Sequence, residues 1–420
     1  MTSDPIRDPI QVLIIGGGPA GSVAALTLAQ AGISTLIVER QFLPRPKTCG
    51  DVVDPAAVHQ LELLGVRVGD LNGSLRLSGI RVHHGDRHTD RVWPMLPVSP
   101  SGHNDAFSIR REILDHALLT RAQSCGVRVL QGHEAVEPIV ERGFVRGASV
   151  RGPDGQIEEI PARFTLVADG ANSRFGRALG TYRNRDWPYA TSIRGYWAGA
   201  APSGGQPDSQ SLSRDASRVD LHLDLRGVDG RPLVGYGWVV PLIDGSLNIG
   251  LTVMSTSHGF RSVNTSALLS EFALAVSKDH HIDPAAPLGP PVSGRIPLGG
   301  SVGPNGGPTH LVVGDAAGSA NPLTGAGIEY AVATGGIAGQ VLTRAFESGD
   351  VTVLQSYPGL IAQRFSSTYR IGRAASQISA HPRILGPAFR YLAGSSPIAE
   401  RIWTFALNGS ERQWQEPAEL

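Results

Sequence analysis

The stretch Gln11-Val12-Leu13-Ile14-Ile15-Gly16-Gly17-Gly18-Pro19-Ala20-Gly21 decides how this chain folds. Gln11–Ile15 reads as a strand buried on both faces, the pattern of a parallel sheet. An Ala/Leu-rich helix follows the glycines to about Gln30, Ala31-Gly32 stops it, and Thr35–Val38 forms the next strand, closed by Glu39. Gly16, Gly18 and Gly21 therefore make G-x-G-x-x-G in a strand–turn–helix setting. Gly16 permits the tight turn, Gly18 lets a pyrophosphate approach the backbone, and Gly21 lets helix pack on strand. The helix N-terminus, where Ala20 lies, offers its N–H groups to the anion. Glu39, followed by Arg40, stands where an acid accepts hydrogen bonds from the ribose of an adenine dinucleotide.

Two later segments separate FAD from NAD. Phe164–Ala168 reads as a short buried strand running into Asp169-Gly170-Ala171-Asn172-Ser173, and His310–Val313 as another running into Gly314-Asp315-Ala316-Ala317-Gly318. An aspartate after such a strand can bond a ribityl hydroxyl, which FAD has and NAD lacks. Asn321-Pro322-Leu323-Thr324-Gly325-Ala326-Gly327 then opens a long helix from about Ile328 to Arg344. Its N–H groups and dipole would favour an anionic reduced flavin.

These segments resemble the flavoprotein group of p-hydroxybenzoate hydroxylase-type monooxygenases, flavin halogenases and geranylgeranyl reductases. Three more lean toward the geranylgeranyl reductase family, which includes menaquinone side-chain reductases. Pro44-Arg45-Pro46-Lys47-Thr48-Cys49-Gly50-Asp51 is similar to its P-x-x-K-x-C-G-[DG]. Gly235-Tyr236-Gly237-Trp238-Val239-Val240-Pro241, with Leu247-Asn248-Ile249-Gly250, resembles its Y-G-W-x-F-P … N-[VI]-G. Pro322–Ile328 matches N-P-L-x-G-E-G-I with Ala326 in place of Glu. Cys49-Gly50-Asp51 differs from the Gly-Glu-Ser of the halogenases.

The resemblance spans about residues 10–345 and implies an α/β fold. Its parts would be a Rossmann-like FAD-binding domain of the glutathione reductase/p-hydroxybenzoate hydroxylase type, an inserted β-sheet substrate domain, and C-terminal helices. The FAD-binding part is expected at residues 1–86, 104–180 and 290–350, the substrate domain at 87–103 and 181–289, and the helical segment at 351–420. Arg110, or Arg111 in the adjacent register, is expected to contact FAD phosphate or ribityl. Gly50, Gly314, Pro322, Gly325, Gly327 and Ile328 would line the flavin site.

The implied reaction saturates a C=C bond of an isoprenoid chain, a prenyl lipid or quinone tail. Hydride comes from reduced flavin, with NAD(P)H as the outer donor, and a protein acid supplies the proton. Cys49 is a candidate acid, since a thiol in an apolar pocket stays protonated; its other reading is a small residue shaping the loop. Asp51 is a second proton source or a turn residue. Lys47 anchors a polar headgroup or is a solvated loop lysine. Tyr236 and Trp238 alternate on one strand face, ahead of Pro241, and either line a hydrophobic substrate's cavity or pack in the core. The alternative activity is an FAD-dependent monooxygenase of an aromatic or terpenoid metabolite. A flavin-loaded binding protein without turnover is a third class.

Composition limits the rest. With 37 basic and 37 acidic residues the net charge is zero, which excludes nucleic-acid binding by bulk charge. The lysines are Lys47 and Lys278, so a lysine-dependent mechanism has two candidates. Cys49 and Cys125 make no disulfide framework. No secretory signal or spanning segment is legible, which predicts a cytoplasmic enzyme. His83, His84, His88 and His280-His281 read as solvated polar loops without metal-ligand spacing. Ala201–Asp208 reads as a flexible loop. Helices beyond 350 close the cavity or meet a membrane surface through Arg364, Arg370, Arg373, Arg383 and Arg390.

Overall fold

The computed structural model describes residues 10–93, 104–199, 217–227, 230–394 and 396–408. Ala201–Asp208, most of the Pro/Ser-rich stretch 93–102, and residues 1–9 lie outside the described residues. The helices are α1 (Pro19–Gln30), α2 (Pro55–Leu63), α3 (Arg111–Ser124), α4 (Arg174–Ala178), α5 (Thr265–His280), α6 (Ile328–Ser348), α7 (Tyr357–Ser379), α8 (Pro382–Leu392) and α9 (Pro397–Asn408).

The strand opened by the glycine stretch, Val12–Ile15, lies inside a six-stranded sheet and is buried at every residue. Thr35–Glu39 and Phe164–Val167 flank it, both parallel, and Arg128–Gln131 and His310–Val312 extend the parallel ladder on either side. Alternation then sorts the side chains. Val12, Ile14 and Ile37 pack with α1, α3 and α6, while Leu13, Ile15, Leu36 and Val38 pack against residues of the antiparallel sheet 134–161. Each such residue stabilises the fold by roughly 1.5–3 kcal/mol. Helix α6 approaches α1 closely because Gly335 has no Cβ: one there would lie 2.3 Å from the Ala20 carbonyl oxygen.

A second sheet has seven strands in the order Val292–Pro297, Tyr189–Ala198, Ser246–Met254, Gly235–Pro241, Arg218–His222, Gly79–His84 and Arg87–Arg91. The expected limits at 86 and 290 therefore cut through this sheet. Gly79–His84 pairs with Arg218–His222, and Val292–Pro297 with Tyr189–Ala198. One face, with Val239, Ile249, Leu251 and Val253, packs on Leu268, Phe272 and Val276 of α5. The other, with Ile80, Val219, Trp238 and Val240, meets Phe389 of α8 and Trp403 of α9.

The histidine segments are not loops. His83 and His84 end one strand, His88 sits in the strand paired with it, and His280 ends α5. The reason is amphipathicity: Ile80 and Val82 face inward while Arg81 and His83 face outward, so polar content masked a strand. Among the described residues, no helix is long and apolar enough to cross a membrane.

Candidate active site

The glycine loop is built as its spacing dictates. A Cβ on Gly21 would sit 2.0 Å from the Gly16 carbonyl oxygen, so only glycine lets α1 start there. Over Gly18 the space is open, and Arg45 Nη2 at 3.9 Å is the nearest atom a Cβ would meet. Glu39 is buried at the end of its strand and accepts the Gly17 N–H at 2.8 Å. Arg45 lies 3.6 Å from both Glu39 and Asp115, and its buried Nε, the atom facing Glu39, makes no hydrogen bond. Asp169 accepts the Phe175 N–H, and its second carboxylate oxygen is likewise buried without a partner. Arg40 is exposed.

The loop carrying Cys49 is pinned to the second sheet through Asn248, which is fully buried. Its amide donates to the Cys49 carbonyl at 2.9 Å and to Asp51 Oδ2 at 2.8 Å, and accepts from the Trp238 indole at 3.0 Å. Asp51 has φ 60°, a left-handed conformation that an aspartate tolerates when its side chain is bonded locally. Its carboxylate also accepts the Tyr196 hydroxyl at 2.6 Å and the Arg111 N–H at 3.3 Å.

Behind the loop, Arg111 clamps Asp115 through two bonds of 2.8 and 2.9 Å and lies against the Cys49 thiol. Burial pushes that thiol up, Arg111 opposes the shift, and Asp51 adds to it. The thiol therefore stays protonated at neutral pH.

A cavity of about 440 Å³ runs from Gly18–Ala20 past Cys49 to the C-terminal helices. Of the expected site residues, its wall includes Lys47, Cys49, Gly50, Tyr236, Trp238, Asp315, Pro322, Gly325, Ala326, Gly327 and Ile328. Even-numbered positions of Gly235–Pro241 face it, while Gly237 faces Phe272 of α5. The Tyr236 hydroxyl donates to the Thr324 carbonyl and so fixes the loop before α6. Lys47, partly exposed in the cavity wall, pairs with Asp315 at 3.1 Å. The far end is apolar, lined by Leu221, Leu223, Phe389, Leu392, Trp403 and Leu407.

Other expected positions lie elsewhere. Arg110 bonds Asp244 at 2.8 Å and Ser246 at 2.9 Å and stacks on Tyr196, leaving Arg111 as the arginine in the cavity wall. Asp51 sits one layer behind the wall, and Pro241 falls at the strand end with its carbonyl bonded to Ser108. Gly16, Gly21 and Gly314 shape turns beneath the wall, where Gly314 takes φ 60°. Arg45, Tyr196, Asn248 and Asp54 were not singled out from sequence. Asp54 caps α2 in the cavity wall, its carboxyl pushed up to about 6 by burial. Two of them carried a usable signal: Arg45 as a cation inside the quoted Pro44–Asp51 loop, and Asn248 as the asparagine of the quoted Leu247–Gly250 segment.

The residues fit FAD. The open space over Gly18, the Arg45 Nε and Asp169 oxygen that make no hydrogen bond, and the glycines 325 and 327 match a pyrophosphate, a ribityl chain and a planar ring in turn. A family model described as FAD binding domain matches residues 9–192. Menaquinone reductase of Mycobacterium tuberculosis is 32% identical over 415 residues, covering 97% of this chain and 94% of that one. Digeranylgeranylglycerophospholipid reductase 1 of Methanopyrus kandleri is 28% identical over 372 residues, covering 87% and 90%. In fold, a geranylgeranyl bacteriochlorophyll reductase-like protein of Thermoplasma acidophilum aligns with TM-score 0.74 at 23% identity, over 94% of this chain and 95% of that one. The glycine loop, the cysteine loop and a cavity joining them to apolar helices thus occur in a chain that belongs to the geranylgeranyl reductase family of FAD-dependent oxidoreductases.

Proposed function

We propose that this enzyme saturates C=C bonds in the isoprenoid chain of a prenyl lipid or quinone. One observation carries the reading: the Cys49 thiol faces a cavity that begins at the flavin loops and ends among apolar side chains. When bound, FAD supplies hydride at its ring, replenished by NAD(P)H. The protein holds the alkene in a dry, aromatic-walled space and gives a proton to the other carbon from Cys49 Sγ. Tyr236 and Trp238 form that wall. Glu39, Arg45, Arg111 and Asp169 hold the cofactor, and Lys47, braced by Asp315, meets the polar end of the substrate or the cofactor.

Peripheral membrane contact, from the cytoplasmic side, belongs to the same reading. Ile402 lines the cavity yet is 41% exposed, and Ile398, one turn away, is 59% exposed. Arg370 of α7, Arg390 of α8 and Arg401 of α9 are exposed as well. Arg373 instead bonds the Gly299 carbonyl and stacks on Trp187, Arg364 is half-buried, and the Arg383 side chain lies outside the described set.

Product mass tests the activity. Anaerobic turnover with chemically reduced flavin and a gain of two hydrogens supports it. Strict dependence on O₂ with a gain of one oxygen would establish the monooxygenase instead.

A further inference from the structure

The charged side chains beneath the glycine and cysteine loops form one connected row. Glu39, at the end of its strand, faces Arg45 at 3.6 Å, and Arg45 Nη1 faces Asp115 Oδ2 at the same distance. That same Asp115 oxygen accepts from Arg111 Nη2 at 2.9 Å, while its Oδ1 accepts from Arg111 Nε at 2.8 Å. Arg111 is in turn a charged neighbour of the Cys49 sulfur. Among the described residues, the other charged or titratable groups felt there are Asp51 and Tyr236. Signs alternate along the row, acid to arginine to acid to arginine. Burial keeps solvent from standing in for any of them: the side chains of Glu39, Arg45, Asp115 and Arg111 are 5%, 14%, 0% and 6% exposed.

The two halves of the row are not equally firm. Arg111 and Asp115 meet in a bidentate pair one turn apart on α3, the strong form of such a contact. Arg45 stands 3.6 Å from each acid, beyond hydrogen-bond length, and its Nη2 is the nearest atom to a Cβ placed on Gly18. Arg45 is thus the arginine able to turn toward an anion over Gly18. Once it turns, Asp115 serves Arg111 alone, and the arginine charge felt at Cys49 weakens. Without Asp115, two buried guanidiniums would lose the one oxygen they share, leaving uncompensated charge in the interior.

We propose that Asp115 is a positioning residue that couples the diphosphate end of the cofactor site to Cys49. It holds Arg45 and Arg111 on one carboxylate, so that an anion over Gly18 strengthens the thiol's hold on its proton. Asp115 itself touches neither substrate nor reacting atoms. The proposal rests on Arg45 and Arg111 holding the cofactor and takes nothing from the choice of substrate.

The test uses FAD-loaded full-length enzyme carrying Cys125→Ser, so that iodoacetamide reads Cys49 alone. Two rates are measured without substrate: flavin release on dilution, and alkylation at a fixed pH below the thiol's midpoint. Asp115→Asn should release flavin about tenfold faster or more, because its arginines are left unpaired. Its Cys49 should react about threefold faster. A midpoint about one unit lower gives about tenfold more thiolate, but of lower nucleophilicity. Asp115→Glu, which keeps the charge, should return both rates toward the parent. Arg45→Gln, a change outside α3, should slow alkylation, and that effect should disappear in the Asp115→Asn background, since it acts through the shared carboxylate. Faster flavin release with no change at Cys49 would mark a structural pin and overturn the coupling. So would additive effects of the two substitutions, or an unchanged alkylation rate in Arg45→Gln alone. The product-mass experiment decides the reductase reading separately, so either can fail while the other stands.

Discussion

At the scale of single residues, Cys49 is placed by contacts that the flavin does not make. Asn248 holds its carbonyl, and Arg111 and Asp51 are the charged neighbours of its sulfur. Removing the sulfur should leave this frame standing. Cys49→Ala is therefore expected to keep its FAD and its melting temperature while losing about two to four orders of magnitude in turnover, the usual share of a positioned general acid. Steady-state rate and bound flavin absorbance, measured on one preparation, check it; an unchanged rate would reject the thiol as the acid. Trp238 has a double part: its ring faces the cavity, and its N–H is spent on Asn248. Buried indoles are stable where that N–H finds a partner.

Among the elements, α8 and α9 are fastened by one buried side chain. Arg91 is 2% exposed and bonds Glu400 of α9, the Leu392 carbonyl at the end of α8, and the Gly394 carbonyl. Its guanidinium also stacks on Trp403, whose indole bonds the Leu392 carbonyl at 2.8 Å. Among the described residues, the Thr89 hydroxyl also bonds the Ala393 carbonyl, and Asn321 Nδ2 reaches the Ala406 carbonyl at 3.1 Å. Charge-assisted bonds of this kind contribute about 1.5–3 kcal/mol each, and their loss opens a local unit before the whole fold. Arg91→Ala should thus speed amide exchange across 382–408 and raise KM for the lipid, with FAD affinity unchanged. Uniform exchange over the whole chain would contradict the latch.

For the whole molecule, the second sheet is the joint between cofactor and substrate, and its outer face carries a pH dependence. Alternation along Arg218–His222 sends Val219 and Leu221 to the cavity and Asp220 and His222 toward α5. His222 stacks on His83 at 4.3 Å, and both His83 and His280 contact Asp220. Burial, aided by His83, lowers His222 to about 4 against the pull of Asp220 and Asp224. Between the ordinary value near 6.5 and 4, the folded chain then binds fewer protons than the unfolded one. Stability falls as pH drops through that window and levels off below it. With partial exposure discounted, the loss is on the order of 1–2 kcal/mol. His222→Gln should flatten the denaturation midpoint over that range; an equal slope in both proteins would assign the effect elsewhere.

The sequence by itself determined the cofactor end of the molecule. Gly16–Gly21 with Glu39, the strand into Asp169, and Gly314–Ile328 each lie within one turn or one strand end, so short-range stereochemistry specifies them. Tyr236 and Trp238 were legible for the same reason, because strand alternation is local. Tertiary structure alone decided the rest. Asn248 meets Cys49 across 199 residues, Tyr196 meets Asp51 across 145, and Arg91 meets Glu400 across 309. No local pattern encodes such partners, since each is fixed by which strands pair and which helices cover them. That is also why Arg111, the register alternative to Arg110, stands in the cavity wall while Asp51 lies behind it. One residue of register turns a side chain to another face, and only the packed sheet says which face holds the cavity.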